Sequence, residues 1–159
     1  MTFKHWSQAL SLLLLCSLAL PLTAQLGGNS LGGLGGDTRP RPLPLDEAFP
    51  WFVSELAEDR FRITWNPASG HYLYRHAFAF SLQTAGSGNP RPLTAELPEG
   101  LPKTDQFFGD IEAYYDTVSA ELSLPRAPAA GDILIIEYQG CAEWGFCYPP
   151  QQQQVELQP

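Results

Sequence analysis

Two cysteines, Cys141 and Cys147, are separated by five residues in Tyr138-Gln139-Gly140-Cys141-Ala142-Glu143-Trp144-Gly145-Phe146-Cys147-Tyr148-Pro149-Pro150, the stretch of the chain best suited to chemistry. At that spacing they can face each other across the base of a hairpin, at the Cα separation of about 5.5 Å that a disulfide needs. As a staple, such a pair closes so short a loop that chain entropy contributes only about 2–2.5 kcal/mol. As a redox pair, it exchanges with thiols or disulfides of another molecule. Trp144, Phe146 and Tyr148 crowd the pair, and three aromatics at a short turn serve equally as core, as a shield for a reactive sulfur or as a docking surface. Spacing alone leaves staple and redox pair both open. A third use, a copper or zinc site completed by His71 or His76, would suit thiolate and imidazole ligands, but the tight Cys/His spacing of such sites is missing.

No competing catalytic motif stands elsewhere: there is no Gly-x-Ser-x-Gly elbow, no phosphate-cradling glycine loop followed by Lys and Ser/Thr, and no His-Glu-x-x-His. Nine Lys and Arg against 17 Asp and Glu give a formal charge of −8, which excludes a nucleic-acid binder because phosphate contacts need a basic face. A hydrophobic content of 44%, with 12% aromatic, excludes a disordered chain. At 159 residues one domain with an ordinary core is expected. Fifteen Pro and 14 Gly predict many turns and little helix.

Residues 1–24 read as an export signal: Lys4 and His5 precede an apolar run from Ala9 to Leu20, and Pro21-Leu22-Thr23-Ala24 offers a cleavage point. The run is too short for a spanning helix, which needs about 20 residues. Leu15 stands where a lipoprotein signal would carry a small residue, so cleavage rather than lipidation at Cys16 is expected. Cleavage removes Cys16, and in an oxidising compartment a Cys141–Cys147 disulfide is the expected state of the remaining pair. No further membrane span is expected. Residues 25–44 pass from a glycine-rich to a proline-alternating stretch and predict a flexible, then stiffer, leader.

The elements that position the cysteines read as strands. Phe61, Ile63 and Trp65 alternate with Arg60, Arg62 and Thr64, and a second alternation runs through Tyr72, Tyr74, His76, Phe78, Phe80 and Leu82. Val118 to Leu124 alternates, Ile133 to Tyr138 is a β-branched run, and Val155-Glu156-Leu157 reads as the last strand. About seven short strands in residues 45–159, with turns between, predict an all-β fold, an immunoglobulin-like antiparallel β-sandwich. On residue type alone Phe107 and Phe108 read as core aromatics, as do Tyr72 and Tyr74.

The cysteine segment resembles the signature of the DsbD N-terminal domain family, Tyr-Gln-Gly-Cys-Ala, a short insert, then Gly-Phe-Cys-Tyr-Pro-Pro. Three further segments agree in order: Asp46-Glu47-Ala48-Phe49 with its entry strand, Gly70-His71-Tyr72-Leu73-Tyr74-Arg75 with a Gly-Tyr-Tyr-Leu-Tyr-Arg segment, and Asp105-Gln106-Phe107-Phe108-Gly109 followed by Tyr114 with its cap loop. The resemblance covers residues 45–158. It implies an immunoglobulin-like periplasmic domain that relays electrons by thiol–disulfide exchange, without cofactor or metal and as a monomer. Its reductant would be a membrane-linked thioredoxin-like domain. Its recipients would be thioredoxin-fold proteins such as disulfide isomerases and the cytochrome c maturation reductant. Without the membrane and thioredoxin-like domains, the chain is expected to need a separately supplied reductant.

Carried over residue by residue, Cys147 forms the mixed disulfide with a partner and Cys141 resolves it. Phe107, with Phe108 beside it, belongs to the cap that covers the sulfurs, and Tyr72 and Tyr74 lie beside them. Asp105 is the acidic cap residue whose charge would raise a thiol pKa. Gln106 stands where a second acid commonly occurs, and Glu143, inside the cysteine loop, is a candidate to replace part of that charge. The competing reading is an immunoglobulin-like binding or assembly module with a purely structural disulfide.

Overall fold

The computed structural model describes residues 40–159, so the export signal expected in residues 1–24 and most of the leader expected in residues 25–44 lie outside the described residues. The chain enters through one helical turn, α1 (Leu45–Ala48), where a strand was expected at Asp46–Phe49. Pro44 starts the turn: its carbonyl accepts from Glu47 N at 3.1 Å and Ala48 N at 2.9 Å, and Phe49 N donates to Leu45 O at 2.9 Å. Pro50 ends it after one turn, because the residue before proline is driven out of the helical region. The result tucks Ala48 and Phe49 into the core.

Thirteen strands follow among the described residues: β1 (Trp51–Ala57), β2 (Arg60–Trp65), β3 (His71–Tyr74), β4 (Ala79–Gln83), β5 (Arg91–Leu93), β6 (Ala95–Glu96), β7 (Leu101–Asp105), β8 (Gly109–Tyr114), β9 (Val118–Ser123), β10 (Ile133–Tyr138), β11 (Gly140–Ala142), β12 (Phe146–Cys147) and β13 (Gln151–Glu156). All pair antiparallel, in the orders β1-β2-β9-β6, β13-β10-β4-β5 and β12-β11-β3-β8-β7. The first two sheets bring Phe61, Ile63, Trp65, Ala120 and Leu122 against Phe80, Leu82, Leu134 and Ile136 in the main core of an immunoglobulin-like sandwich. The third sheet continues from the second, since β3 leads to β4 and β10 leads to β11.

The single strand expected over residues 71–82 is two strands. A 3-10 turn at Arg75–Ala77 divides it, and the halves join different sheets. Period-two alternation records which residues share a strand face but carries no information about a kink that re-aims that face. Phe80 and Leu82 therefore enter the main core, whereas Tyr72 and Tyr74 enter a second cluster with Ala113 and Cys141. The last strand also differs: the glutamine run expected to precede it is its first half, pairing from Gln151 opposite Tyr138 to Glu156 opposite Ile133. Ladder bonds use only the backbone, so a polar run can fill a sheet edge.

Asp132 is fully buried and ties three segments together. Its carboxylate accepts from Ala85 N at 3.1 Å and Ala129 N at 3.0 Å, and pairs with Arg126 at 2.8 Å, while its carbonyl accepts from Leu157 N at 2.9 Å. The Ala129 N–H and the Arg126 guanidinium, aided by Ala85 and opposed by burial, lower its pKa from 3.8 to about 2. Asp132→Asn should lose about 2 kcal/mol of stability at neutral pH, the scale of a charge-assisted hydrogen bond. Because the folded pKa is the lower one, the stabilisation is complete above about pH 4 and is lost as pH falls through about 2. Urea unfolding at pH 7 and near pH 2 checks this; an equal gap between parent and variant at both would contradict it.

Candidate functional site

Register places the sulfurs. Cys141 on β11 lies opposite Cys147 on β12 and opposite Tyr72 on β3, and a disulfide joins the cysteines with Cα atoms 4.0 Å apart. This is closer than the expected separation. Tyr148 N donates to Gly140 O at 3.0 Å one position outward, so ladder alternation puts the cysteines at a non-hydrogen-bonded pair, where Cα atoms approach to about 4.5 Å. Glu143, Trp144 and Gly145 close the hairpin; Gly145 N donates to Ala142 O at 2.9 Å, and Gly145 takes φ +93°, which favours glycine. Gly140 is needed for approach: a Cβ there would stand 2.5 Å from the Phe49 ring and 2.6 Å from Tyr72 O.

The two sulfurs are not equivalent. Cys141 is fully buried, whereas Cys147, on the edge strand of its sheet, is half-buried. Tyr74 Oη lies 3.0 Å from Cys141 Sγ and 3.6 Å from Cys147 Sγ. The same hydroxyl donates to Asp105 Oδ2, which Tyr72 Oη also reaches at 3.2 Å. Burial and the bond to Asp105 push the Tyr74 hydroxyl well above the ordinary tyrosine range. The hydroxyl therefore stays protonated and turns oxygen lone pairs, not a proton, toward the sulfur.

Asp105 has a second role. It ends β7, and its Oδ1 accepts from Phe107 N at 3.0 Å and Phe108 N at 2.7 Å, building the tip of the β7–β8 hairpin. One carboxylate thus shapes the tip and fastens it to Tyr72 and to Tyr74, whose hydroxyl touches both sulfurs. Burial opposes its charge, but the hydrogen bonds from Tyr74, Phe108, Phe107 and Tyr72 outweigh it and hold the carboxyl below the ordinary range.

Phe107 and Phe108 are 49% and 51% exposed, which corrects the reading of them as core aromatics. Phe108 packs edge-on against Tyr74 and His76, each with ring centroids 5.0 Å away. Phe107 lines the groove between tip and cysteine hairpin with Tyr72, Lys103, Trp144 and Gly145. Tyr72 and Tyr74 are buried as expected of core residues, but in the cluster that holds Cys141.

Glu143 lies in the cysteine loop, but its carboxylate is taken up by Lys103 Nζ at 3.0 and 3.3 Å and by the Tyr115 hydroxyl at 2.5 Å. Tyr115 and Lys103 hold its pKa down against burial. Nothing in the motifs points to Lys103 or Tyr115, and His76, a candidate metal ligand on sequence, instead packs its ring against Tyr74 and Phe108. For Lys103 a signal existed, since alternation along β7 sets it on the same face as Asp105; for Tyr115 none did. Gln106 Nε2 lies 2.9 Å from where a Cβ on Gly145 would stand, so its amide covers the cysteine loop. His71 faces away, with Nδ1 3.2 Å from Ser69 O and Nε2 3.5 Å from Tyr148 Oη. Among the described residues no three His, Cys, Asp or Glu side chains are grouped to hold a metal, and no helix is long and apolar enough to cross a membrane.

Known proteins resemble this chain in sequence and in fold. The family described as thiol:disulfide interchange protein DsbD, N-terminal, matches residues 39–159. The chain is 35% identical over 151 residues to DsbD of Vibrio cholerae, covering 92% of this chain and 24% of the relative. It is 37% identical over 147 residues to DsbD 2 of Pseudomonas aeruginosa, covering 92% and 23%. It therefore spans about a quarter of the length of these curated relatives. Among solved structures, the DsbD N-terminal domain of Neisseria meningitidis in the reduced form aligns with TM-score 0.63 and 26% identity, covering 74% of this chain and 90% of that one. The same organism's complex between the DsbD N-terminal and PilB N-terminal domains aligns with TM-score 0.58 and 27% identity, covering 72% and 85%.

Proposed function

The chain belongs to the DsbD N-terminal domain family, and on that premise we propose that it is a thiol–disulfide exchange domain that relays electrons through Cys141 and Cys147 to thioredoxin-fold proteins. In the reduced domain the Cys147 thiolate attacks a partner disulfide, forming a mixed disulfide and expelling one partner thiolate. The Cys141 thiolate then attacks Cys147 Sγ and releases the second. Two electrons and two protons pass to the partner, and the domain is left with its own disulfide, which a membrane-linked thioredoxin-like reductant must reopen. Such a relay acts as a protein-disulfide reductase in the periplasm, as a monomer, with disulfide isomerases and the cytochrome c maturation reductant as its recipients.

The observation that carries this reading is the inequality of the sulfurs: Cys147 half-buried at a sheet edge, Cys141 fully buried behind it. Attack needs an accessible sulfur, whereas resolution needs only intramolecular reach. The Asp105–Tyr74 pair adds control. With the Tyr74 hydroxyl donating its hydrogen bond to the Asp105 carboxylate, a thiol at Cys141 can donate to the Tyr74 oxygen, while a thiolate would face lone pairs and a nearby carboxylate, so the reduced pair stays protonated until docking. The Phe107–Phe108 tip serves as the cap that limits access. A reduced form of the Neisseria domain and its complex with another protein's domain support cycling rather than a permanent staple.

Equilibration of the Cys141–Cys147 pair against defined thiol buffers, read by alkylation and mass, tests the proposal. A potential between about −200 and −270 mV is expected of an exchange protein. A value well below about −300 mV would mark a structural disulfide and hand the domain to the binding-module reading.

A further inference from the structure

Resting on the reading of the β7–β8 tip as a cap, we propose that Lys103 and Glu143 form a latch that holds this cap on the cysteine hairpin, with Glu143 as its positioning residue, and that a docking partner opens the cap by undoing the pair. Lys103 stands on β7 two residues before Asp105. Glu143 opens the loop between the cysteines, and its two carboxylate oxygens take the Lys103 ammonium at 3.0 and 3.3 Å. Tyr115, just past β8, donates to the same carboxylate at 2.5 Å. Both strands that carry the cap thus converge on one carboxylate in the cysteine loop. Among the described residues this is the one ion pair joining the two hairpins.

The inner side of the latch touches the redox cluster. Lys103 Nζ lies 4.7 Å over the Tyr72 ring and 5.7 Å from that of Tyr115, and the Tyr72 hydroxyl reaches Asp105 at 3.2 Å. Tyr115 and Glu143 hold the ammonium above the ordinary lysine range against the cost of burial. The outer side is open: the side chains are 19% exposed for Lys103 and 44% for Glu143. A partner placing charged or polar groups at this rim competes for both members. A half-exposed pair shifts an equilibrium by about fivefold at most, a bias strong enough to favour the closed cap and weak enough for docking to reverse.

Glu143→Gln removes the charge while keeping an acceptor for Tyr115, and Lys103→Met keeps an apolar stem over Tyr72. Each should speed reduction of the disulfide by dithiothreitol by about fivefold. The double variant should go no faster, and the exchanged pair K103E/E143K should return to the parent rate. Reduction potentials should stay at the parent value, because the latch controls access rather than the sulfurs. High salt should speed the parent but neither single variant. Unchanged rates, effects that multiply in the double variant, or a parent rate indifferent to salt would overturn the latch; the salt measurement uses the parent chain and stands even if a variant fails to fold. Failure to exchange with any thioredoxin-fold protein would instead sink the relay reading, while the dithiothreitol rates would still judge the latch.

Discussion

Reduced Cys141→Ala protein mixed with an oxidised thioredoxin-fold protein should accumulate a mixed disulfide at Cys147, and Cys147→Ala should accumulate none. The expectation comes from access and reach. Cys141 is fully buried and touches Tyr74, so without Cys147 it has no route to an incoming disulfide. Cys147, half-buried on an edge strand, can be attacked or attack without unfolding its sheet. In Cys141→Ala the first exchange proceeds, but the intramolecular thiol that would release the partner is gone, so turnover stops at the covalent complex. Non-reducing electrophoresis followed by peptide mass mapping reads the result. Adducts on Cys141, or equal trapping by both variants, would reverse or erase the assigned roles.

The second large effect belongs to Asp105. Four donors converge on this carboxylate, two from the cap backbone and two from Tyr72 and Tyr74. Hydrogen bonds to a charged acceptor contribute about 1.5–3 kcal/mol each, and of these four the two tyrosine bonds are the ones that reach from the cap to β3. Losing them in Asp105→Ala should open the cap and raise the rate of disulfide reduction by a phosphine about a hundredfold, the equivalent of roughly 3 kcal/mol. The effect should depend on pH in one direction. Asp105 has its pKa lowered from 3.8 in the closed state, so its contribution to closure is complete above that value and fades as pH falls through the lowered one. Parent and variant rates should therefore converge in acid, at pH values below about 4. A ratio that stays constant with pH would mean that the carboxylate charge does not hold the cap.

Much of this site is legible in the sequence because it is local. The cysteine hairpin is encoded by spacing, by Gly145 for its left-handed turn and by Gly140 for close passage under Phe49. The cap tip is likewise a local turn, written as Asp105 followed by residues whose N–H groups its side chain can reach. Strands β2 and β9 follow their alternation because each buries one face against the facing sheet. The glutamines of β13 show no such pattern, because an edge strand needs only backbone partners and its side chains answer to solvent.

Residue types and spacing set out the chemistry available: a sulfur pair at hairpin spacing, tyrosines at alternate positions, an acid near two phenylalanines, and an all-β frame to carry them. Which of these groups meet is set by how the sheets pair. The 3-10 turn at Arg75–Ala77 takes Tyr72 and Tyr74 out of the main core and aims them at Cys141. Pairing of β3 with both β8 and β11, and of β8 with β7, then brings together Asp105, Tyr74 and Cys141, residues distant along the chain. The same pairing sets Lys103 and Tyr115 on Glu143, so a carboxylate that reads in sequence as a free negative charge beside the thiols is neutralised by partners from another hairpin. Alternation and spacing report only a residue's immediate neighbours along the chain. Electrostatics and access at a sulfur depend on whatever side chains lie within a few ångströms, and only sheet order and register choose those.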